Sequence, residues 1–151
     1  MNRLHDLYTE QGQSPWLDNL RRSWIASGEL QGWVDRGARG ITSNPSIFEK
    51  AMGHGDAYDA TLAAFDKANP GAATIDRYEH LAIQDIKAAA ETLQPVYDRL
   101  DGKDGYVSLE VSPYIADDTD ATIAEADKLW HAVGHKNLMI KIPGTVAGAP
   151  A

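Results

Sequence analysis

Two short runs in this chain alternate with the period of a β-strand. In Tyr106-Val107-Ser108-Leu109-Glu110-Val111-Ser112, the apolar residues Val107, Leu109 and Val111 fall on one face and Tyr106, Ser108, Glu110 and Ser112 on the other. In the run Asn137 to Thr145, Leu138, Ile140 and Ile142 share a face and Lys141 projects with Met139 from the opposite one, before Pro143 ends the pattern. Two weaker runs lie upstream. Ser14 to Leu20 places Leu17 away from Trp16 and Asp18, and Arg39 to Asn44 is closed by Pro45.

Between these runs the apolar spacing is helical. Leu4, Leu7 and Tyr8 give an amphipathic opening segment that covers one end of the fold. A short helix opens at Ser27-Gly28-Glu29-Leu30 and stops at Gly37, and Ser46-Ile47-Phe48-Glu49 fits a capping box for the next. Tyr58, Leu62 and Phe65 predict another helix, broken at Asn69-Pro70-Gly71. A longer one carries Ile75, Tyr78, Leu81, Ile83, Ile86, Ala89 and Leu93 as core, with Pro95 expected to kink or reset it. After the Asp101–Gly105 turn, the strand and the Pro113–Asp118 loop, Thr119 or Asp120 caps a helix buried through Ile123, Ala126, Leu129, Trp130 and Val133 and ended by Gly134. Strand, helix, strand, helices, strand, helix, strand is the order of an α/β fold with parallel strands and right-handed crossovers.

At 151 residues the chain has the size of one domain, and 43% hydrophobic with 24% charged residues is an ordinary globular balance. No apolar run is long enough to span a bilayer, and the N-terminus leads into no signal-peptide core, so the reading is cytoplasmic. A net charge of −8 without a basic stripe argues against nucleic acid and against anionic membrane as partners. It leaves room for a small phosphorylated substrate, which a few N–H groups and cations hold locally. The absence of cysteine removes disulfides, thiolate catalysis and thiolate metal sites. His131 and His135 are four apart but lack a third ligand and have Gly134 between them, so they read as solvated. No glycine-rich nucleotide motif or serine elbow follows a strand.

Lys141 carries the chemical interest. An ammonium between Ile140 and Ile142 must be paired, snorkelling or partly deprotonated. If the strand is internal, Lys141 lies near its C-terminal end, where parallel α/β folds bind ligands; if it is an edge strand, the lysine blocks aggregation. The polar face of the Glu110 strand likewise reads either as a cavity lining or as the wet face of an antiparallel strand. Asp18 is an interior carboxylate or a turn residue, and Asn44 caps a helix or orients a ligand.

Were these residues to converge, a neutral Lys141 amine would attack a ketone, form a carbinolamine and then a Schiff base, and draw electrons as an adjacent carbon–carbon bond breaks. The lysine must lose a proton held with a reference pKa of about 10.4, at about 1.36 kcal/mol per unit of depression. Glu110 is accordingly expected one water away from Lys141, near enough to relay protons but out of a direct ion pair. Asp18 would take the proton of the cleaving hydroxyl, and Asn44 would orient a substrate hydroxyl.

Four motifs in order, Trp16-Leu17-Asp18-Asn19-Leu20, Gly40-Ile41-Thr42-Ser43-Asn44-Pro45-Ser46-Ile47-Phe48, Asp104-Gly105-Tyr106-Val107-Ser108-Leu109-Glu110-Val111-Ser112 and Met139-Ile140-Lys141-Ile142-Pro143-Gly144-Thr145, closely resemble the bacterial transaldolases. The resemblance implies a (β/α)8 TIM barrel that moves a dihydroxyacetone unit from sedoheptulose 7-phosphate to glyceraldehyde 3-phosphate in the pentose phosphate pathway, without metal or organic cofactor. It implies Lys141 as the Schiff-base lysine, Glu110 as the water-activating acid/base, Asp18 as the residue assisting carbon–carbon cleavage, and Asn44 as a substrate-positioning amide. Its phosphate-binding arginine and serine fall outside these residues. In some bacteria a similar domain is fused to a glucose-phosphate isomerase; a homo-oligomer is the other arrangement left open.

Such a barrel has eight strands, and four are legible here. Residues 1–151 are therefore expected to form the N-terminal half of the barrel, truncated after the lysine strand and inactive alone. The rival readings are another Schiff-base sugar-phosphate aldolase, which cleaves without transfer, and a non-catalytic half-barrel that oligomerises through its open edges.

Overall fold

The structure, a computed structural model, describes residues 3–151. The first two residues of the opening segment, and the part of the signal-peptide reading that rests on them, lie outside the described residues.

Four parallel strands, β1 (Trp16–Leu17), β2 (Gly40–Ile41), β3 (Val107–Glu110) and β4 (Leu138–Lys141), form one sheet in the order β1-β2-β3-β4. This sequential parallel order with helical crossovers is that of half a (β/α)8 barrel. The strands are shorter than the alternating runs from which they are read, but pairing extends past their ends. Arg39 N donates to Pro15 O at 2.8 Å, Thr42 N to Leu17 O at 2.9 Å and Val111 N to Lys141 O at 3.2 Å. β3 is internal, flanked by β2 and β4, so the antiparallel wet-face reading does not apply. Gly40 is required by close approach: a Cβ there would lie 2.2 Å from the Trp16 ring across the β1–β2 pair.

Among the described residues α1 (Arg3–Gln11) precedes β1, and six further α-helices connect the strands: α2 (Arg22–Ser27), α3 (Glu29–Asp35), α4 (Pro45–Met52), α5 (Asp59–Ala68), α6 (Thr74–Arg99) and α7 (Thr119–Val133). α1 lies toward the N-terminal end of β2, with Tyr8 under the Arg39 guanidinium at 3.3 Å and His5 Nε2 3.1 Å from Asp35 O. The helix expected from Ser27 is α3, and α2, which the sequence reading did not foresee, precedes it. Gly28, at φ 78, ends α2 and starts α3, because a left-handed residue cannot continue a helix and glycine adopts it without steric cost.

Two helix caps and one expected kink differ from the sequence reading. α4 is capped by Asn44, whose Oδ1 accepts from Ile47 N at 2.9 Å, with Pro45 in the first turn; the Ser46/Glu49 box is not used. α7 is capped by Asp118, which accepts from Ala121 N at 2.9 Å, one residue before the expected position. α6 runs on through Pro95 with only about one turn beyond it, and the Glu91 carbonyl there lacks the N–H it would otherwise accept from.

The core lies between the sheet and the two long helices. Val107, Leu109 and Val111 from the β3 run and Leu138 from β4 meet Ile86, Ala89, Ala90 and Leu93 of α6 and Leu129 and Val133 of α7, all buried. Period two then sends Ser108, Glu110, Met139 and Lys141 to the other face of the sheet. Asn137, fully buried before β4, donates from Nδ2 to Ala90 O and Gly105 O, both at 2.9 Å, which fixes the strand starts against α6.

Candidate active site

The parallel register sets the site. Glu110 and Lys141 are direct partners at the C-terminal ends of β3 and β4, so their side chains leave the same face one strand spacing apart. Lys141 Nζ lies 3.1 Å from Glu110 Oε2, with the side chains 36% and 25% exposed. The expected water gap is absent. At this separation two long side chains on one face close directly, and nothing packs between them. Attack by Nζ therefore requires this ion pair to open and the proton to leave.

One turn below, two hydroxyls complete the floor. Lys141 Nζ donates to Thr42 Oγ1 at 3.3 Å, and Ser108 Oγ donates to the same oxygen at 3.0 Å. Ser108 is itself 3% exposed and held from the other side: Ser43 N donates to its Oγ at 3.4 Å, and Ser43 Oγ to its backbone carbonyl at 2.6 Å. Thr42 thus accepts from the lysine and from a buried serine, and its own proton is left for a ligand. Sequence reading did not single out Thr42. The available signal was its parity with Asn44 in a run whose far neighbours carry Glu110 and Lys141.

Asn44 lies two residues beyond Thr42, half-buried, with Oδ1 committed to the α4 cap and Nδ2 unengaged by any described residue. Both uses foreseen for it are thus compatible, one oxygen capping and one amide nitrogen free. Asp18 follows β1, exposed, and its carboxylate makes no ion pair or hydrogen bond among the described residues. It shares the C-terminal end of the sheet with Lys141 but stands three strands away, roughly 14 Å along a flat sheet and less across a curved one. The structure brings Lys141 and Glu110 together; it sets Asn44 and Asp18 on the same rim without contact.

Beside β3 opens a cleft of ≈ 810 Å³, lined largely by apolar side chains of α4 and α6 together with Glu110, Ser112, Tyr78 and Glu125. Burial pushes the Tyr78 phenol up to about 12, helped by the negative charges of Glu110, Glu125 and Glu79. Among the described residues no group of three His, Cys, Asp or Glu side chains is placed to hold a metal ion, and His131 instead lies against Asp127 on the exposed side of α7. No helix among them is long and apolar enough to cross a membrane.

Residues 15–151 match the family model described as Transaldolase/Fructose-6-phosphate aldolase. A transaldolase of Trichodesmium erythraeum is 51% identical over 141 residues, covering 93% of this chain and 37% of that protein. A transaldolase 2 of Nostoc is 52% identical over 143 residues, covering 94% and 37%, and a transaldolase of Thermobifida fusca 46% identical over 144 residues, covering 95% and 39%. The chain thus spans well under half the length of these relatives. A family match over residues 15–151, which takes in all four parallel strands, places this chain in the transaldolase/fructose-6-phosphate aldolase family.

Proposed function

We propose that residues 1–151 are the catalytic half of a transaldolase barrel. The observation that carries this is the Lys141–Glu110 pair, 3.1 Å apart on adjacent parallel strands at the end of the sheet where such barrels hold their sites. In the reaction, neutral Nζ of Lys141 attacks the ketone carbon of a ketose phosphate, giving a carbinolamine. Glu110, through water, supplies the proton that lets hydroxide leave as water, and an iminium forms. Removal of the proton from the C4 hydroxyl, the role given to Asp18, breaks the C3–C4 bond; the electron pair enters the iminium as an enamine and the aldose departs. The enamine then adds to a second aldose, and hydrolysis frees Lys141. Asn44 holds a substrate hydroxyl through Nδ2.

Sedoheptulose 7-phosphate and glyceraldehyde 3-phosphate as the pair, giving erythrose 4-phosphate and fructose 6-phosphate, a place in the pentose phosphate pathway and a cytoplasmic setting are what the resemblance implies. Four further strands are needed to close the barrel and supply the phosphate contacts. They come from the same polypeptide or from a second chain.

The test joins residues 1–151 to the remaining strands of the Trichodesmium erythraeum relative. With fructose 6-phosphate as donor, transfer to erythrose 4-phosphate is expected to exceed release of free glyceraldehyde 3-phosphate. Release without transfer would instead make the chain a cleaving aldolase. The 151-residue chain alone is expected to show no turnover, and full activity as a monomer would contradict the half-barrel reading.

A further inference from the structure

Lys141 is the last residue of β4, and the ladder to β3 ends with it. Val111 N donates to Lys141 O at 3.2 Å, and no backbone bond between the two chain segments follows among the described residues. Pro143, two residues on, has no N–H to donate, and Gly144 is exposed with open space around it. A strand end so placed frays unless something beyond it is tied down. Two threonines do this. Thr145 Oγ1 donates to Ala116 O and accepts from Gly148 N at 2.9 Å, and Thr119 Oγ1 donates to Ala147 O at 2.7 Å. The two bonds run in opposite directions between the same segments, 112–119 after β3 and 142–151 after β4. Each segment is itself braced. Fully buried Thr122 shares its hydroxyl proton between Asp118 O at 2.7 Å and Ile115 O at 3.0 Å, and Ser112 N donates to Glu125 Oε2 at 3.0 Å, which fixes the first segment on α7. In the second, Gly148 packs so closely that a Cβ would lie 2.0 Å from the Pro143 carbonyl oxygen, so Thr145 sits within a tight return of the chain.

We propose that Thr119 and Thr145 are positioning residues for Lys141: their crossed hydrogen bonds strap the segment after β4 to the segment after β3 and keep Lys141 in register with Glu110. The inference rests on the proposed roles of Lys141 and Glu110. Before reaction the ion pair itself, at 3.1 Å, helps to hold the two strand ends together. Forming the carbinolamine takes the lysine nitrogen out of that pair, at the step where Glu110 must still reach the new centre through water. Register then depends on the backbone ladder and on the strap. Both hydroxyls are spent on backbone carbonyls, so the threonines act through the two loops and not on substrate. The strap also explains why hydroxyls stand at these positions: valine has nearly the same shape, but it would leave the Ala116 and Ala147 carbonyls without these donors.

The first test needs no turnover and uses the 151-residue chain itself. Amide hydrogen exchange is followed residue by residue by NMR in the wild type, Thr145→Val and Thr119→Val. The Val111 amide, bonded to Lys141 O, is expected to exchange about tenfold faster in each variant. The Val107 amide, bonded to Asn137 O at the other end of β3, is expected to keep its rate. An unchanged Val111 rate in both folded variants would overturn the proposal. So would equal acceleration of Val107 and Val111, the mark of a loss of stability spread over the whole strand. If neither valine variant folds, the wild type decides: Val111 as protected as Val107 is expected, and an unprotected Val111 means that no strap holds the strand end. In the completed barrel, Thr145→Val is expected to lower kcat about tenfold with KM little changed, and Thr145→Ser, which keeps the hydroxyl, to restore it. Wild-type kcat in Thr145→Val would contradict the positioning role. Failure of the underlying mechanism is seen separately, as no adduct on Lys141 when the wild-type completed barrel is reduced with borohydride in fructose 6-phosphate.

Discussion

Two carboxylate–cation pairs in this molecule are built for opposite ends. Arg22 Nε and Asp85 Oδ1 are 2.7 Å apart with side chains 17% and 3% exposed, and every remaining group is occupied. Tyr58 donates to Asp85 Oδ2 at 2.6 Å, Arg22 Nη1 to Thr61 Oγ1 at 2.8 Å, Arg22 Nη2 to Gln84 Oε1 at 3.3 Å, and the guanidinium lies over the Tyr58 ring at 4.3 Å. The pair stitches α2 to α6 and to the segment that opens α5. Burial pushes Asp85 above the usual carboxylate range, although Tyr58 and Arg22 pull it back. Lys141 and Glu110 are more open, and one carboxylate oxygen is free. Arginine does not lose its proton in a protein, whereas lysine does. Saturation and arginine make a clamp; an unsaturated pair with lysine leaves a proton to move.

Substitution should separate the two. In the completed barrel, Glu110→Gln is expected to lower kcat by about 10²–10⁴-fold, the usual contribution of a positioned acid/base, while shifting the urea midpoint little. Asp85→Ala should do the reverse. Removing one partner of a buried pair costs about 3–5 kcal/mol, read by urea unfolding of the 151-residue chain. Stability loss at Glu110 as large as that at Asp85 would erase the distinction.

Tyr58→Phe sharpens the contrast with a smaller effect. Tyr58 is 4% exposed, and burial together with Asp85 raises its phenol well above the ordinary 10.0. Above pH 10 the unfolded chain has released this proton and the native one retains it. The contribution is therefore complete below the unfolded value and lost as pH rises toward the folded one. Between pH 10 and 11.5, wild-type stability should fall more steeply than that of Tyr58→Phe, by up to about 1.4 kcal/mol per unit. Equal slopes would mean that the phenol does not report on the clamp.

The same contrast marks what was legible in the sequence. Alternation alone yields β3 and β4, the shared face of Ser108 and Glu110, and Lys141 near a strand end, because period two is local. It does not reveal how neighbouring strands align. Glu110 and Lys141 are 31 residues apart in the chain yet register partners, so the reading allowed a water between them where the sheet spacing brings them into contact. α2 was missed because Gly28 reads as the start of one helix and serves two. The Arg22–Asp85 clamp was illegible for a different reason: Arg21-Arg22 is a plain basic pair until the long return of α6 brings Asp85 beneath it.

The most direct test of the account is borohydride trapping. The barrel completed with the relative's strands is mixed with fructose 6-phosphate, reduced, and mapped by peptide mass spectrometry. A three-carbon adduct on Lys141, absent in Lys141→Arg, is the predicted result. An adduct on another lysine, or turnover without any adduct, would contradict the claim that this lysine is the nucleophile.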